Sequence, residues 1–329
     1  MVFMTNAEVI EYLGLPNSVI TDLQTLQGQD FVKTSNQFLQ ALVNKILYQT
    51  VDFFRWIDPF RQFDSFPVNY GDTIENIYLE APNGYTFNKD AVDPFTKYIP
   101  DSKATYASIN YEMQYPLTIE DALLRRAALN EYGFMNIINS LFGSMESKKN
   151  MDTYLATLSM LNNEELYAGG IGELNLISSD TDFDNAKKLT TQIINDVSSF
   201  KLPSTSNNKL GVLTASNPED ILLIIRRDLY NYINLDFLSG VYNLDKVDLI
   251  KRIMVVESFK VKDADGEDNG VDIGYIVLDT KALDMHTALE DGGMIYNPKG
   301  KYTNHFLNLW KIISFKLYYN AKAYYVTQE

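Results

Sequence analysis

The stretch from residue 64 to residue 116 constrains the fold more than any other. Five of the chain's ten prolines punctuate it, Pro67, Pro82, Pro94, Pro100 and Pro116, with Tyr70, Tyr78, Tyr85, Tyr98, Tyr106, Tyr111 and Tyr115 scattered between them. Thr73–Leu79 and Tyr106–Met113 read as strands. Ala81–Lys103 between them carries turn residues and no helical period. Two strands joined by an irregular tip make a β-hairpin arm. A two-stranded hairpin is marginal in water by itself. A long arm therefore expects a partner surface, in its own chain or in another.

Helical signals flank the arm. Thr5-Asn6-Ala7-Glu8 is a capping box, followed by Val9, Ile10 and Leu13 at helical spacing and stopped by Gly14 and Pro16. Thr34–Leu47 has a stripe of Phe38, Leu42 and Ile46. After the arm, Thr118-Ile119-Glu120-Asp121 has N-cap spacing and predicts a helix over Ala122–Tyr132. Apolar residues then recur at Phe134, Ile137, Ile138, Leu141, Phe142 and Met145, and again at Met151, Leu155, Leu158 and Leu161. A continuous helix over 134–162 would be about 43 Å long, with the charged run Glu146–Lys149 as a solvated turn or kink.

The second half alternates. Phe183–Val197 predicts an amphipathic helix with Ala186, Leu189, Ile193, Ile194 and Val197 inward. Pro203–Lys209 reads as a polar linker and Leu210–Leu213 as a strand. The apolar run Ile221–Ile225 fits a buried strand or a helix turn. Arg252–Glu257 and Ile273–Asp279 read as strands around the acidic loop Asp263–Asp272. Lys301–Val326 is one long aromatic segment that places Asn304, Phe306, Asn308, Trp310 and Ile312 on one face if extended.

Composition excludes several classes of chemistry. The chain has 329 residues, enough to bury a core without metal or disulfide support. It has no Cys, which removes disulfides, thiolate nucleophiles and cysteine metal sites. Only two histidines exist, His286 and His305, without metal-ligand spacing. A net charge of −15 argues against a broad polyphosphate-gripping face. No secretory signal is expected, since the first basic residue is Lys33. No run approaches the ~20 apolar residues of a membrane span.

The remaining motifs carry no chemistry. Gly169-Gly170-Ile171-Gly172 lacks the continuation of a phosphate-binding loop. In the acidic loop from Asp263, Gly266 stands fourth where a calcium loop needs it sixth, and Gly274 occupies the twelfth position that needs Glu. No nucleophile elbow occurs. Carboxylates are abundant, but nothing singles out a pair. The arm's tyrosines and the aromatics of 301–326 fit core packing and protein contact better than base stacking on so acidic a chain. The expectation is a non-enzyme with no cofactor and no metal.

Three groups of landmarks follow one another along the chain: Gly71-Asp72-Thr73-Ile74-Glu75-Asn76-Ile77-Tyr78, then Glu219-Asp220-Ile221-Leu222-Leu223-Ile224-Ile225 with Asp228-Leu229 and Leu235-Asp236. Last come Asn297-Pro298-Lys299-Gly300-Lys301-Tyr302, Trp310 and Asn320-Ala321-Lys322-Ala323. In these residues and in the order of its parts the chain resembles the major capsid proteins of tailed phages, the HK97-type fold, and within it those of phi29-like podophages. The resemblance implies an α+β chain divided into an N-terminal arm (1–63), an extended β-hairpin loop (64–116), a peripheral domain with a spine helix (117–181 and 297–329) and an axial domain (182–296). No further immunoglobulin-like domain is expected after the last landmark. Covalent cross-linking through the arm lysines Lys89, Lys97 and Lys103 is not expected.

The implied function is a shell subunit. It self-assembles into hexamers and pentamers of an icosahedral head that encloses double-stranded DNA without sequence-specific binding. A scaffolding protein and a portal are the further partners implied, with no membrane. The implied location is the virion capsid, assembled in the host cytoplasm. Candidate assembly-interface residues are Phe54, Trp56, Tyr85, Phe87, Phe95 and Tyr98. Two other readings stand beside it: an encapsulin-like compartment shell, and a soluble carboxylate-dependent hydrolase.

Overall fold

Five consecutive buried residues, Ile221–Ile225, fix the layout of the second half. In the computed structural model they form strand β5 (Ile221–Arg226), hydrogen-bonded on both sides. The residues described are 5–26, 30–38, 41, 56–69, 71–82, 84, 97, 99–129, 143–176, 182–231, 252–262, 268–269 and 272–328. β5 pairs in parallel with β6 (Arg252–Val256) and antiparallel with β9 (Ile273–Asp279). β9 pairs with β12 (Ala321–Gln328), which pairs in parallel with β4 (Gly172–Leu176), giving the order β4-β12-β9-β5-β6.

Both faces of the central strands β5 and β9 are covered, which is why they read as unbroken apolar runs rather than alternating ones. Ile221, Leu223, Ile225, Tyr275 and Val277 face helix α5 (Asp182–Phe200) through Leu189, Ile193, Val197 and Phe200. Leu222, Ile224, Ile276 and Leu278 face the other way, onto Leu158 and Leu161 of helix α4 (Gly143–Leu161) with Phe60 and Phe259. The period of two sorts one strand into two cores. Fully burying each such side chain is worth about 1.5–3 kcal/mol. Gly274 marks a close approach: a Cβ there would run into Val326 and Leu229, and the β9–β12 register shifts beside it.

A second, three-stranded antiparallel sheet has the order β10-β11-β3, from β10 (Leu283–Asn297), β11 (Tyr302–Phe315) and β3 (Tyr111–Glu120). The β10–β11 turn is the landmark Asn297–Lys301. Asn297 Oδ1 accepts from the N–H of Lys299 and of Gly300, both at 3.1 Å, and Lys301 takes φ +53°. A short Asx turn thus joins two long strands.

The N-terminal segment is helical. Helix α1 (Asn6–Tyr12) starts at the capping box, with Glu8 Oε2 accepting from the Thr5 N–H at 2.7 Å. Helix α2 (Ser18–Thr25) and the helical residues 30–38 follow. They bury Val9, Ile10, Leu23, Phe31 and Phe38 against Leu124 and Ala128 of helix α3 (Asp121–Leu129) and Ile119 of β3. A short helix α6 (Arg227–Tyr230) follows β5, and β7 (Val261–Lys262) pairs with β8 (Asp268–Asn269).

Several expectations are corrected. The predicted strand Tyr106–Met113 is two strands. β2 (Ser102–Ala107) pairs with β1 (Ile74–Leu79), whereas Tyr111–Met113 belong to β3 and pair with β11. β3 runs on through Pro116 to Glu120, so Thr118 is a strand residue whose hydroxyl donates to Asn304 Oδ1 at 2.7 Å, not a helix cap. Glu146–Lys149 is continuous helix within α4, and Met151 is exposed while Asn150, Thr153 and Thr157 face inward. The part of the predicted long helix before Gly143 lies outside the described residues, as does the predicted helix beyond residue 41.

The supposed linker Pro203–Lys209 contains Asn207 and Asn208, each 2% exposed. Asn208 grips Val212 from both ends of its amide, donating to its carbonyl at 2.7 Å and accepting from its N–H at 2.9 Å. Leu210–Leu213 is not a strand; only Thr214 forms a bridge, to Ser204. Lys301–Val326 is two strands in two different sheets, divided at Lys316–Asn320. Hydrogen bonding also groups segments across the expected division: β10 belongs with β11 and β3, and β12 with β9 and β5.

Candidate assembly surfaces

The β1–β2 arm has two unlike faces. Ile74, Asn76 and Tyr78 of β1 turn inward and are half-buried, while Glu75, Ile77 and Leu79 turn outward. Opposite these, Ala104 pairs with Ile77 and Tyr106 with Glu75. Ile77, Leu79 and Tyr106 are 55%, 64% and 69% exposed. The Tyr106 hydroxyl donates to Glu75 Oε1 at 2.7 Å, and that hydrogen bond together with the carboxylate charge raises the phenol's pKa. Among the described residues the arm is a two-stranded sheet, so this outward apolar face has no cover there.

The inward face is anchored at two points. The Tyr78 hydroxyl donates to the Leu213 carbonyl at 2.7 Å, and its ring lies 5.2 Å from that of Tyr318. Asn76 Nδ2 donates to Asp284 Oδ2 at 3.2 Å. Asp284, at the start of β10, also faces Lys316 Nζ at 3.2 Å and takes a 3.4 Å hydrogen bond from Ser65. Burial pushes this carboxyl's pKa up, but Lys316 and His286 outweigh it, and the net shift is downward. The carboxylate form is thus the one its partners hold. His286 Nε2 lies 3.0 Å from Asp284 Oδ1, and Nδ1 lies 2.8 Å from the Phe66 carbonyl.

Residues 56–69 form a strap across the body. The rings of Trp56 and Phe60 pack on Tyr154 of α4, at 5.0 and 5.7 Å. Asn150 Nδ2 donates to the Trp56 carbonyl at 3.1 Å. Asp58 caps the 3-10 turn Pro59–Phe63, accepting from the Phe60 N–H at 2.8 Å. Burial raises its carboxyl to about 6 against the opposing pull of that N–H and of Lys311. Further on, the strap runs along the β10 edge, Ser65 N–H to Met285 O at 2.7 Å and Val68 N–H to Thr287 O at 3.1 Å. Ile57 and Phe66 stand out from it, 66% and 67% exposed.

Of the candidate interface residues, Trp56 is 39% exposed, with one side on Tyr154. Phe54, Tyr85, Phe87, Phe95 and Tyr98 lie outside the described residues. Ile77, Leu79, Ile57 and Phe66, also exposed, are not among those six residues. The signal was present in Ile74–Leu79, which has apolar residues on both faces of a single strand. Of the two histidines, His305 is buried in β11, where loss of hydration lowers its pKa to about 4. Among the described residues no cluster of three or more His, Asp or Glu side chains is placed to hold a metal ion. No described helix is long and apolar enough to cross a membrane.

Comparison with known proteins agrees with this architecture. The family described as Phi29-like phage major capsid protein matches residues 16–325. The major capsid protein of Streptococcus phage Cp-1 is 27% identical over 316 residues, covering 92% of this chain and 86% of that protein. The major capsid protein of Bacillus phage B103 is 23% identical over 88% of this chain, which spans 63% of that longer relative. In three dimensions the chain is similar to a capsid structure of Staphylococcus phage Andhra, with a TM-score of 0.65 at 10% identity, over 85% of this chain and 87% of the other. These relatives are structural proteins rather than enzymes, which sets the hydrolase reading aside.

Proposed function

The chain belongs to the family of Phi29-like phage major capsid proteins, and from that premise we propose that it self-assembles into the hexamers and pentamers of an icosahedral head enclosing double-stranded DNA. The observation that carries the reading is the arm. It presents Ile77, Leu79 and Tyr106 outward while its inner face is pinned to the body. A subunit that covers such a face on the next copy makes a heterologous contact, and heterologous contacts that close on rotation form rings.

In this reading the unit built on β4-β12-β9-β5-β6 is the axial domain, and the long sheet with α4 is the peripheral domain. The N-terminal segment and the arm supply contacts between subunits, with Trp56, Phe54, Tyr85, Phe87, Phe95 and Tyr98 among the interface residues. A scaffolding protein and a portal complete the set of partners. DNA is enclosed rather than gripped, as suits a chain of net charge −15. The subunit ends in the virion capsid after assembly in the host cytoplasm.

Negative-stain electron microscopy of the expressed chain, alone and with a scaffolding protein, tests the proposal. Capsomer rings or closed shells are expected. A monodisperse monomer under both conditions overturns it.

A further inference from the structure

The arm's two anchors differ in kind. Tyr78 holds through a neutral hydroxyl and ring packing. Asn76, two residues earlier on the same face, holds a buried charge. Asp284 is 4% exposed, and its carboxylate gathers four partners from four parts of the chain. These are Asn76 of the arm at 3.2 Å, Ser65 of the strap at 3.4 Å, His286 of β10 at 3.0 Å and Lys316 of the β11–β12 connection at 3.2 Å. The Asp284 backbone is itself fixed, its carbonyl accepting from the Ser314 hydroxyl at 2.9 Å.

A buried carboxylate is tolerated only while its partners stay in place. The arm amide is therefore drawn to one position on a rigid strand. Asn76 has a short side chain, so fixing its Nδ2 fixes the backbone of β1 beside it. We propose that Asp284 is a positioning residue for shell assembly: its buried carboxylate, acting through Asn76, sets the direction in which the β1–β2 arm leaves the body. The inference rests on the capsid reading for its purpose. An arm held in its docking direction before contact pays less ordering cost on association. The hydrophobic cores around β5 and β9 are built from other residues, so releasing the arm need not unfold the body.

Three variants of the full chain test this. N76D sets a second carboxylate against Asp284, N76A removes the donor without adding charge, and N76D/D284N exchanges the two groups so that one carboxylate again faces one amide. Backbone hydrogen exchange of the unassembled protein reads the arm, and electron micrographs read assembly. N76D is expected to speed exchange of the β1 and β2 amides about tenfold and N76A about threefold, with β5 and β9 unchanged. The reciprocal pair is expected to recover most of that protection. Shells are expected to fail or misform with N76D and to return with the pair.

Unchanged arm exchange in N76D overturns the proposal, as does a rise shared equally by β5 and β9. Normal shells from N76D with a loosened arm overturn it too, and leave the capsid reading standing. A wild-type chain that builds no shell overturns the capsid reading and the assembly role with it, while the exchange data still decide whether Asp284 holds the arm.

Discussion

Asp64 and Lys311, 247 residues apart, are joined by two hydrogen bonds, Nζ lying 2.8 Å from Oδ1 and 3.0 Å from Oδ2. They close the strap onto the long strand β11. The two ends are buried unequally: the Lys311 side chain is 8% exposed and that of Asp64 27%. Removing the carboxylate strands an ammonium that has little access to water. Removing the ammonium leaves a carboxylate that water can reach. D64N is therefore expected to cost about 3 kcal/mol and K311M about 1 kcal/mol. Urea unfolding of the unassembled chain measures both, and equal costs would contradict the burial argument.

Asp58 lies near the same lysine and carries a pH dependence of opposite sign to the usual carboxylate. Its folded pKa of about 6 stands above the ordinary 3.8 because the charge is buried. Its contribution to stability is therefore fully present below pH 3.8 and is lost as pH rises through 6. The shift of roughly two units corresponds to at most about 3 kcal/mol. D58N keeps an oxygen to accept from the Phe60 N–H and cannot ionise. It is expected to match the wild type at pH 4 and to exceed it at pH 8. A variant weaker than wild type at pH 8 would show that the carboxylate's cap outweighs its desolvation.

His305 works the other way in the same range. Burial lowers its pKa from 6.5 to about 4, so the unfolded chain binds the proton first. Stability is lost as pH falls from 6.5 towards 4. The Asp58 and His305 slopes overlap and oppose each other, so the wild-type profile between pH 4 and 6 is expected to be shallow. H305Q should expose the Asp58 slope, with stability falling as pH rises. D58N should expose the histidine slope, with stability falling as pH drops. Parallel profiles for the wild type and both variants would refute this pairing.

The sequence made legible those features in which one local rule decides. The Thr5–Glu8 capping box, the arm strand ending at Leu79 and helix α5 all lie where local rules put them. The run Ile221–Ile225 fits strand or helix by its residues alone, and cover on both faces resolves it as a strand. Tertiary partners decided the rest. Pro116 stands inside β3, an edge strand, where a sheet tolerates proline. Thr153 and Thr157 sit on the buried face of α4 because each hydroxyl donates to the carbonyl four residues back, at 2.9 and 3.0 Å. Asn207 and Asn208 read as linker residues and are buried because their amides meet their own hydrogen bonds. At the candidate surface, aromatic content points to Tyr85, Phe87, Phe95 and Tyr98, whereas the exposed Ile77 and Leu79 are aliphatic and lie on the strand before them.

That outward pair yields the most direct test of how subunits meet. Ile77 and Leu79 share one face of β1 with Tyr106 and Ala104 of β2 beside them. Both are already more than half exposed, so replacing them should cost the isolated subunit less than about 0.5 kcal/mol. In a shell the same side chains are expected to lie against the next copy, where each buried one is worth about 1.5–3 kcal/mol. The double variant I77D/L79D would further place two carboxylates beside Glu75, on a surface meant to lose water. It is expected to unfold in urea like the wild type and to give no closed particles in electron micrographs. Normal shells in normal yield from this variant would mean that the arm's outward face meets solvent in the assembled head, and that the contact lies elsewhere.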